Sequence, residues 1–471
     1  MNRIKMDVCV IGAGSGGLSV AAGAAQMGAS VVLLEGHKMG GDCLNFGCVP
    51  SKALIAAGKQ AHLMSQGQPF GISPVTAQVD YNAAKDHVHK VISTIAPVDS
   101  QERFEGLGVK VIREFGKFIS KTEVQAGDTI ISARRFVIAT GSSPFVPPVP
   151  GLENVPYETN ETIFDLRERP NHLLIVGGGP IGIEMAQAHV RLGSKVTVIE
   201  GLKALGKDDP ELATIALDNL RGEGVEIAED AMAKEIRGSA GAIEIEAKDG
   251  RMFKGTHLLM AVGRMANIDN LGLQNAGVKH DRTIEVDAGM RTSNRKIYAI
   301  GDVAGGMQFT HVAGYHAGVI IRSMLFGLPS KTRTDHIPWV TYTDPELAQV
   351  GLSEHQARAE HGDALEVVRF PYAENDRAIA SGMTKGLIKV MVVKGRPVGA
   401  SIVGAQAGEL IGVWALALAN KMKMSAIAAM VIPYPTLGEI NKRAVGAYFS
   451  PRLFDSLTVK RVVRAVQKLL P

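Results

Sequence analysis

The chain has 471 residues, more than one hydrophobic core of ordinary size organises, so about three domains are expected. Its 51 basic and 47 acidic residues nearly cancel, which argues against a nucleic-acid partner and favours small-molecule chemistry. No apolar run reaches the roughly 18 residues of a membrane span, and the opening Met1-Asn2-Arg3-Ile4-Lys5 lacks a secretory pattern, so a cytoplasmic protein is expected.

Residues Asp7 to Ile11 read as a short buried strand. They are followed by Gly12-Ala13-Gly14-Ser15-Gly16-Gly17, an Ala-rich helix through Met27, and a strand from Ser30 to Leu34 that ends in Glu35. This is the order of a dinucleotide-binding unit. Gly12 permits the tight turn, Gly14 lets backbone approach a pyrophosphate, and Gly17 lets helix pack on strand. Glu35 stands 23 positions after Gly12, where a carboxylate accepts hydrogen bonds from ribose hydroxyls. Cys9, inside the first strand, reads as packing.

Next come Cys43 and Cys48, two of only three cysteines. In a reducing compartment such a pair reads as a metal pair or a working redox pair, and redox is the reading adopted here, with no metal site expected. Gly40, Gly41 and Gly47 supply backbone freedom around it. A thiol at a helix N-terminus is biased toward thiolate.

The dinucleotide unit recurs downstream. Leu173 to Val176, Gly177-Gly178-Gly179-Pro180-Ile181-Gly182, a helix through Leu192 and Lys195 to Ile199 lead to Glu200, again 23 positions after the first glycine. Gly177, Gly179 and Gly182 take the parts of Gly12, Gly14 and Gly17. Two such sites imply two cofactors that exchange electrons, and flavin with nicotinamide is the usual pair. The cysteines follow the first site, so that site is assigned to FAD and the second to the nicotinamide. Glu200 favours NAD over NADP by repelling a 2′-phosphate, although Lys203 and Lys207 could hold one.

With the run Gly40-Gly41-Asp42-Cys43-Leu44-Asn45-Phe46-Gly47-Cys48-Val49-Pro50-Ser51-Lys52, the turn Ala139-Thr140-Gly141, the Gly263-Arg264 segment and Ile297-Tyr298-Ala299-Ile300-Gly301-Asp302, the chain resembles the class I flavoprotein disulfide reductases, or pyridine nucleotide-disulfide oxidoreductases, over essentially its whole length. This is the family of dihydrolipoamide dehydrogenase, glutathione reductase and mercuric reductase. The resemblance implies an α/β fold with two Rossmann-like dinucleotide-binding domains, for FAD and NAD, and a C-terminal α+β dimerisation domain. It places an FAD-binding part at 1–151, an NAD(P)-binding domain at 152–275, a second FAD-binding part at 276–337 and the interface domain at 338–471. It makes Cys48 the thiol beside the flavin and Cys43 the outer thiol that meets substrate. Lys52 becomes the lysine near the flavin, paired with Glu184, while Ala139, Thr140, Gly141, Gly263 and Asp302 contact cofactor. It also implies a homodimer acting on a small-molecule or lipoyl-type substrate.

In the interface domain, Val340 to Gly351, Leu387 to Val393 and Pro397 to Gly404 read as strands, with helices over Gly408 to Ala419 and Met424 to Val431. Family members usually carry a histidine five positions before a glutamate near the C-terminus. Here Tyr434 stands in that place ahead of Glu439, as in mercuric reductases, and both are candidate catalytic residues. A phenol titrates near 10 and is a poor base at neutral pH. The C-terminal cysteine pair of mercuric reductases is absent. The basic tail from Thr458 is expected to be a packing helix or a frayed end rather than a membrane contact.

Overall fold

A computed structural model describes residues 2–470. The first dinucleotide unit consists of β1 (Asn2–Ile11), α1 (Ser15–Gln26) and β2 (Val31–Leu34), and the cysteine segment forms α2 (Gly41–Asn45) and α3 (Cys48–Leu63). Strands β3 (Val109–Ile112), β4 (Gly116–Phe118), β5 (Glu123–Ala126) and β6 (Thr129–Ile138) complete the order β3-β2-β1-β6-β5-β4. Pairing is parallel from β3 to β6 and antiparallel across β5 and β4. The run Val8-Cys9-Val10-Ile11 is apolar at every position because both faces of this central strand are covered, one by α1 and the other by a second apolar cluster. Cys9 is fully buried there, and burial pushes its thiol up, which suits packing.

The second unit repeats the first with β7 (His172–Val176), α4 (Pro180–Arg191) and β8 (Lys195–Ile199). Together with β9 (Val225–Ala228) and β10 (His257–Met260) it forms a four-stranded parallel sheet, β9-β8-β7-β10. The chain then returns to the first sheet, where β11 (Ile297–Ala299) pairs with β6 and leads into α5 (Thr310–Phe326), whose Ala313 lies against Gly16 of α1.

The C-terminal domain is a five-stranded antiparallel sheet of β12 (Pro338–Thr341), β13 (Glu346–Gly351), β14 (Leu365–Pro371), β15 (Leu387–Val393) and β16 (Arg396–Gly404), in the order β12-β13-β16-β15-β14. Helices α6 (Ala407–Leu410), α7 (Gly412–Ala419), α8 (Met424–Ala428) and α9 (Glu439–Phe454) cover it, and α10 (Leu457–Leu469) follows. Four expectations are corrected here. The single strand expected over Val340 to Gly351 is a hairpin, because the link between β12 and β13 is drawn onto α4: Tyr342 N donates to Glu184 at 2.9 Å and Asp344 N to Gln187 at 2.7 Å. The helix expected over Gly408 to Ala419 is broken at Ile411, whose carbonyl accepts from Trp414 N in a tight turn, and the next helix stops at Ala428. The tail forms a capped helix, α10, with no buried residue, so it is neither frayed nor packed into the core. Among the described residues no helix is long and apolar enough to cross a membrane.

Candidate redox site

The two glycine turns have matching internal geometry. Gly12 and Gly177 hold φ of +104° and +115°, and a Cβ on either would lie 2.4 or 2.3 Å from the carbonyl oxygen of Ala139 or Ala261. A Cβ on Gly17 or Gly182 would meet the Gly12 or Gly177 carbonyl at 1.9 or 2.0 Å, so these glycines serve the protein's own packing. Gly14 and Gly179 differ. A Cβ on Gly14 would meet nothing closer than 4.0 Å and one on Gly179 nothing at all, so neither is required by the protein's own contacts and both leave room for a ligand. Glu35 accepts from Ala13 N and His37 N, both at 2.7 Å; Glu200 accepts from Gly178 N at 2.6 Å and Leu202 N at 2.8 Å. A carboxylate has about four acceptor sites, so each retains capacity for ribose hydroxyls. Open space, a helix N-terminus and a carboxylate are together what a dinucleotide needs, and both turns fit one. Lys203, one of the two cations that could hold a 2′-phosphate, is paired with Asp230 at 2.6 Å.

Cys43 lies within α2, and Cys48 is the first residue of α3 after the break at Phe46 and Gly47. Both are free thiols, with Cys48 exposed and Cys43 half-buried. Cys48 is lowered to about 6, chiefly because the Cys43 S–H donates to it, helped by Thr310 and Lys52 and opposed by burial and by Glu184. Cys43 is pushed up, first by that same hydrogen bond and then by burial and by the charge on Cys48. Thr310 Oγ1, at 3.5 Å from Cys48 Sγ, is the first residue of α5, so two helix N-termini converge on one sulfur.

Lys52, on the turn of α3 after Cys48, donates to Glu184 Oε2 at 2.8 Å, and its ammonium sits 4.3 Å from the Tyr342 ring centroid. The β12–β13 hairpin thereby fixes a pair whose members are 132 positions apart. Asp302 accepts from Ser142 Oγ at 2.5 Å, and burial raises its carboxyl against the pull of Ser142 and Arg264. Arg264 donates to Ser142 Oγ and O at 2.7 Å and is paired with Asp42 at 3.0 Å, while Asn160 donates to Asp42 and to the Phe46 carbonyl. His316 Nδ1 accepts from Gly301 N and holds the loop that carries Asp302. Thr140 is clasped by Asn267 through bonds of 2.7 and 2.9 Å, next to Gly141 at φ +67°, and the Gly263 carbonyl accepts from Phe145 N at 2.9 Å.

Sequence reasoning did not single out Ser142, Asn160, His316 or Tyr342, nor give Asp42 and Arg264 a role. The position of Asp42 beside Cys43 and of Arg264 beside Gly263 was the available signal. Among the described residues neither Tyr434 nor Glu439 is hydrogen-bonded to a cysteine. The Tyr434 phenol donates to Asp376 at 3.0 Å, not to Glu439, and that carboxylate pushes it further above the usual phenol range.

Residues 6–317 match the family model for pyridine nucleotide-disulphide oxidoreductases, and residues 337–445 match that family's dimerisation domain. The chain is 34% identical over 453 residues to a dihydrolipoyl dehydrogenase of Geobacillus stearothermophilus, covering 94% of this chain and 96% of that enzyme. It is 32% identical over 448 residues to a mercuric reductase of Lysinibacillus sphaericus, covering 93% and 82%. Among solved structures, the Cu(II) complex of the HOCl-induced flavoprotein disulfide reductase RclA from Escherichia coli superimposes with a TM-score of 0.84 at 27% identity, covering 94% of this chain and 99% of that one. Two dinucleotide turns, a dithiol at paired helix starts and these matches lead to one conclusion: the chain belongs to the pyridine nucleotide-disulphide oxidoreductase family, FAD-containing enzymes that use NAD(P)H.

Proposed function

We propose that the protein reduces a thiol/disulfide-type substrate with electrons from NADH, as a dihydrolipoamide dehydrogenase-like enzyme in which Cys43 and Cys48 are the outlet. The observation that carries this reading is the opposite displacement of the two thiols. A hydride brings two electrons and one proton, so reducing a Cys43–Cys48 disulfide yields one thiol and one thiolate. The electrostatics give the thiolate to Cys48 and the proton to Cys43. FAD, when bound, supplies the two-electron relay between nicotinamide and sulfur. Gly12, Gly14, Gly17, Glu35, Ala139, Thr140, Gly141 and Asp302 would hold it; Gly177, Gly179, Gly182, Glu200 and Gly263 would serve the nicotinamide side. Lys52, held by Glu184, keeps a positive charge near Cys48. After losing its proton to solvent, Cys43 attacks one sulfur of the substrate and expels the other as a thiolate, which takes a proton back. Cys48 then attacks Cys43, restoring the internal disulfide and releasing the second substrate sulfur as a thiolate. Thiol exchange runs either way, so relative potentials set the direction.

The assembly proposed is a homodimer in which Tyr434 and Glu439 of one subunit reach the cysteine pair of the other; the dimerisation-domain match and the 68% exposure of Tyr434 support it. The domain boundaries proposed for this assembly are residues 151, 275 and 337.

A second reading, a mercuric reductase-like metal or quinone reductase, is favoured by Tyr434. A phenol raised by Asp376 does not take the Cys43 proton near neutral pH, whereas a thiophilic metal ion displaces that proton by itself on binding. A steady-state panel decides between them: NADH and NADPH against lipoamide, small disulfides, mercuric ion and quinones, for the wild type and Tyr434→His. Lipoamide or small-disulfide turnover by the wild type supports the first reading, and lipoamide turnover that appears only with the histidine counts against it and makes the missing base the reason. Turnover with mercuric ion or quinone alone in both proteins supports the second. If Cys48→Ser retains the long-wavelength thiolate-to-flavin band on NADH titration, the assignment of Cys48 is wrong.

A further inference from the structure

Helix α10 is the one long helix among the described residues with no buried position, although Ser456 caps it through Val459 N. At 3.6 residues per turn, Val459, Val462, Val463, Val466 and Leu469 share one side, and Lys460, Arg461, Arg464 and Lys468 share the opposite side. The segment from Leu457 to Leu470 holds no acidic residue. Its apolar side is open: Val462 is 57%, Val463 47%, Val466 44% and Leu469 82% exposed, and Phe454 at the end of α9 is 68% exposed as well. The helix lies beyond residue 445, where the match to the dimerisation domain ends.

We propose that α10 is a surface anchor for anionic lipid bilayers, lying in the plane of the headgroups. Charge complementarity selects this occupant. Acyl chains just below the headgroups cover the valine side, while Lys460, Arg461, Arg464 and Lys468 meet anionic headgroups, so both sides are satisfied at one boundary. A second copy of the helix covers only the valine side and leaves the four cations of each helix on the outer faces, with no acidic residue on either helix to pair them. The long basic side chains lay their methylenes along the helix and keep their charges at the headgroup level. The anchor rests on the helix alone, so it stands or falls independently of the substrate.

The test is co-sedimentation of the full FAD-loaded protein with phosphatidylcholine vesicles, with and without phosphatidylglycerol. The variants are Arg461→Glu with Arg464→Glu, and Val463→Asp with Val466→Asp. All four residues are exposed, so neither pair removes core packing. Expected are at least tenfold more bound protein on the anionic vesicles, a loss of at least tenfold in each variant, weaker binding at high salt, and unchanged NADH oxidation by a soluble acceptor without vesicles. Equal partition onto both vesicle types, binding retained by both variants, or an oligomer larger than a dimer that only the valine variant dissolves would overturn the proposal, the last by assigning the patch to another copy.

Discussion

Replacing Cys43 by alanine removes the S–H that donates to Cys48 but leaves Lys52, Thr310 and the start of α3 in place. In the reduced protein Cys48 is lowered from an ordinary thiol value of 9.0 to about 6, and the Cys43 hydrogen bond is the largest contribution. A group lowered in this way is thiolate above its midpoint, so roughly nine-tenths of Cys48 is ionised at pH 7. Losing the largest contribution moves the midpoint up by roughly one to two pH units, each unit being tenfold in the thiol–thiolate equilibrium. Thr310→Val moves it the same way by less, since the Thr310 hydrogen bond is the smaller contribution. The assay is the rate of iodoacetamide alkylation at Cys48 across pH 4.5 to 9.5, with the labelled residue identified by mass spectrometry. The electrostatic assignment is refuted if Cys43→Ala titrates within a few tenths of the wild type. Cys43 titrating near 6 in the wild type refutes it as well.

Gly12→Ala and Gly14→Ala separate packing from cofactor binding. The first puts a Cβ 2.4 Å from a backbone oxygen and should lower the melting temperature markedly, whereas the second should keep the apo melting temperature and lose FAD on gel filtration; equal melting temperatures for the two variants would sink this distinction. Lys85 is fully buried, donates to the Ile163 carbonyl at 2.7 Å, and is pushed down to about 7 by burial. Between pH 7 and the unfolded value near 10.4 the unfolded chain binds the extra proton, so stability rises with pH in this window. From pH 7 to pH 9 the gain is roughly 2 kcal/mol. Denaturant melts of Lys85→Met should lack that rise, and an unchanged slope would rule out Lys85 as its source.

The two dinucleotide turns were legible at the level of single residues. Their requirements are local: a turn, a helix start and a carboxylate 23 positions later, all within one strand-helix-strand unit. The internal symmetry of Glu35 with Ala13 and of Glu200 with Gly178 was therefore implicit in the spacing. The position of Cys48 at a helix start was likewise legible from its glycine neighbours. In the C-terminal domain the strands Leu387–Val393 and Arg396–Gly404 were legible to within a residue, but the break within Val340 to Gly351 was not. The hairpin at Tyr342 to Pro345 forms because Glu184 and Gln187, more than 150 positions away, accept its backbone N–H groups.

The sequence by itself determined the family, the paired cofactor turns and the dithiol, because these depend on residue type at fixed short spacing. Only the tertiary structure decided which groups lower the Cys48 thiol, which carboxylate holds Tyr434, how Arg264 links Asp42 to Ser142, and that the tail's valine side is left uncovered. Each depends on groups far apart in the chain that apolar packing brings within a few ångströms, or on packing that leaves a face without a partner.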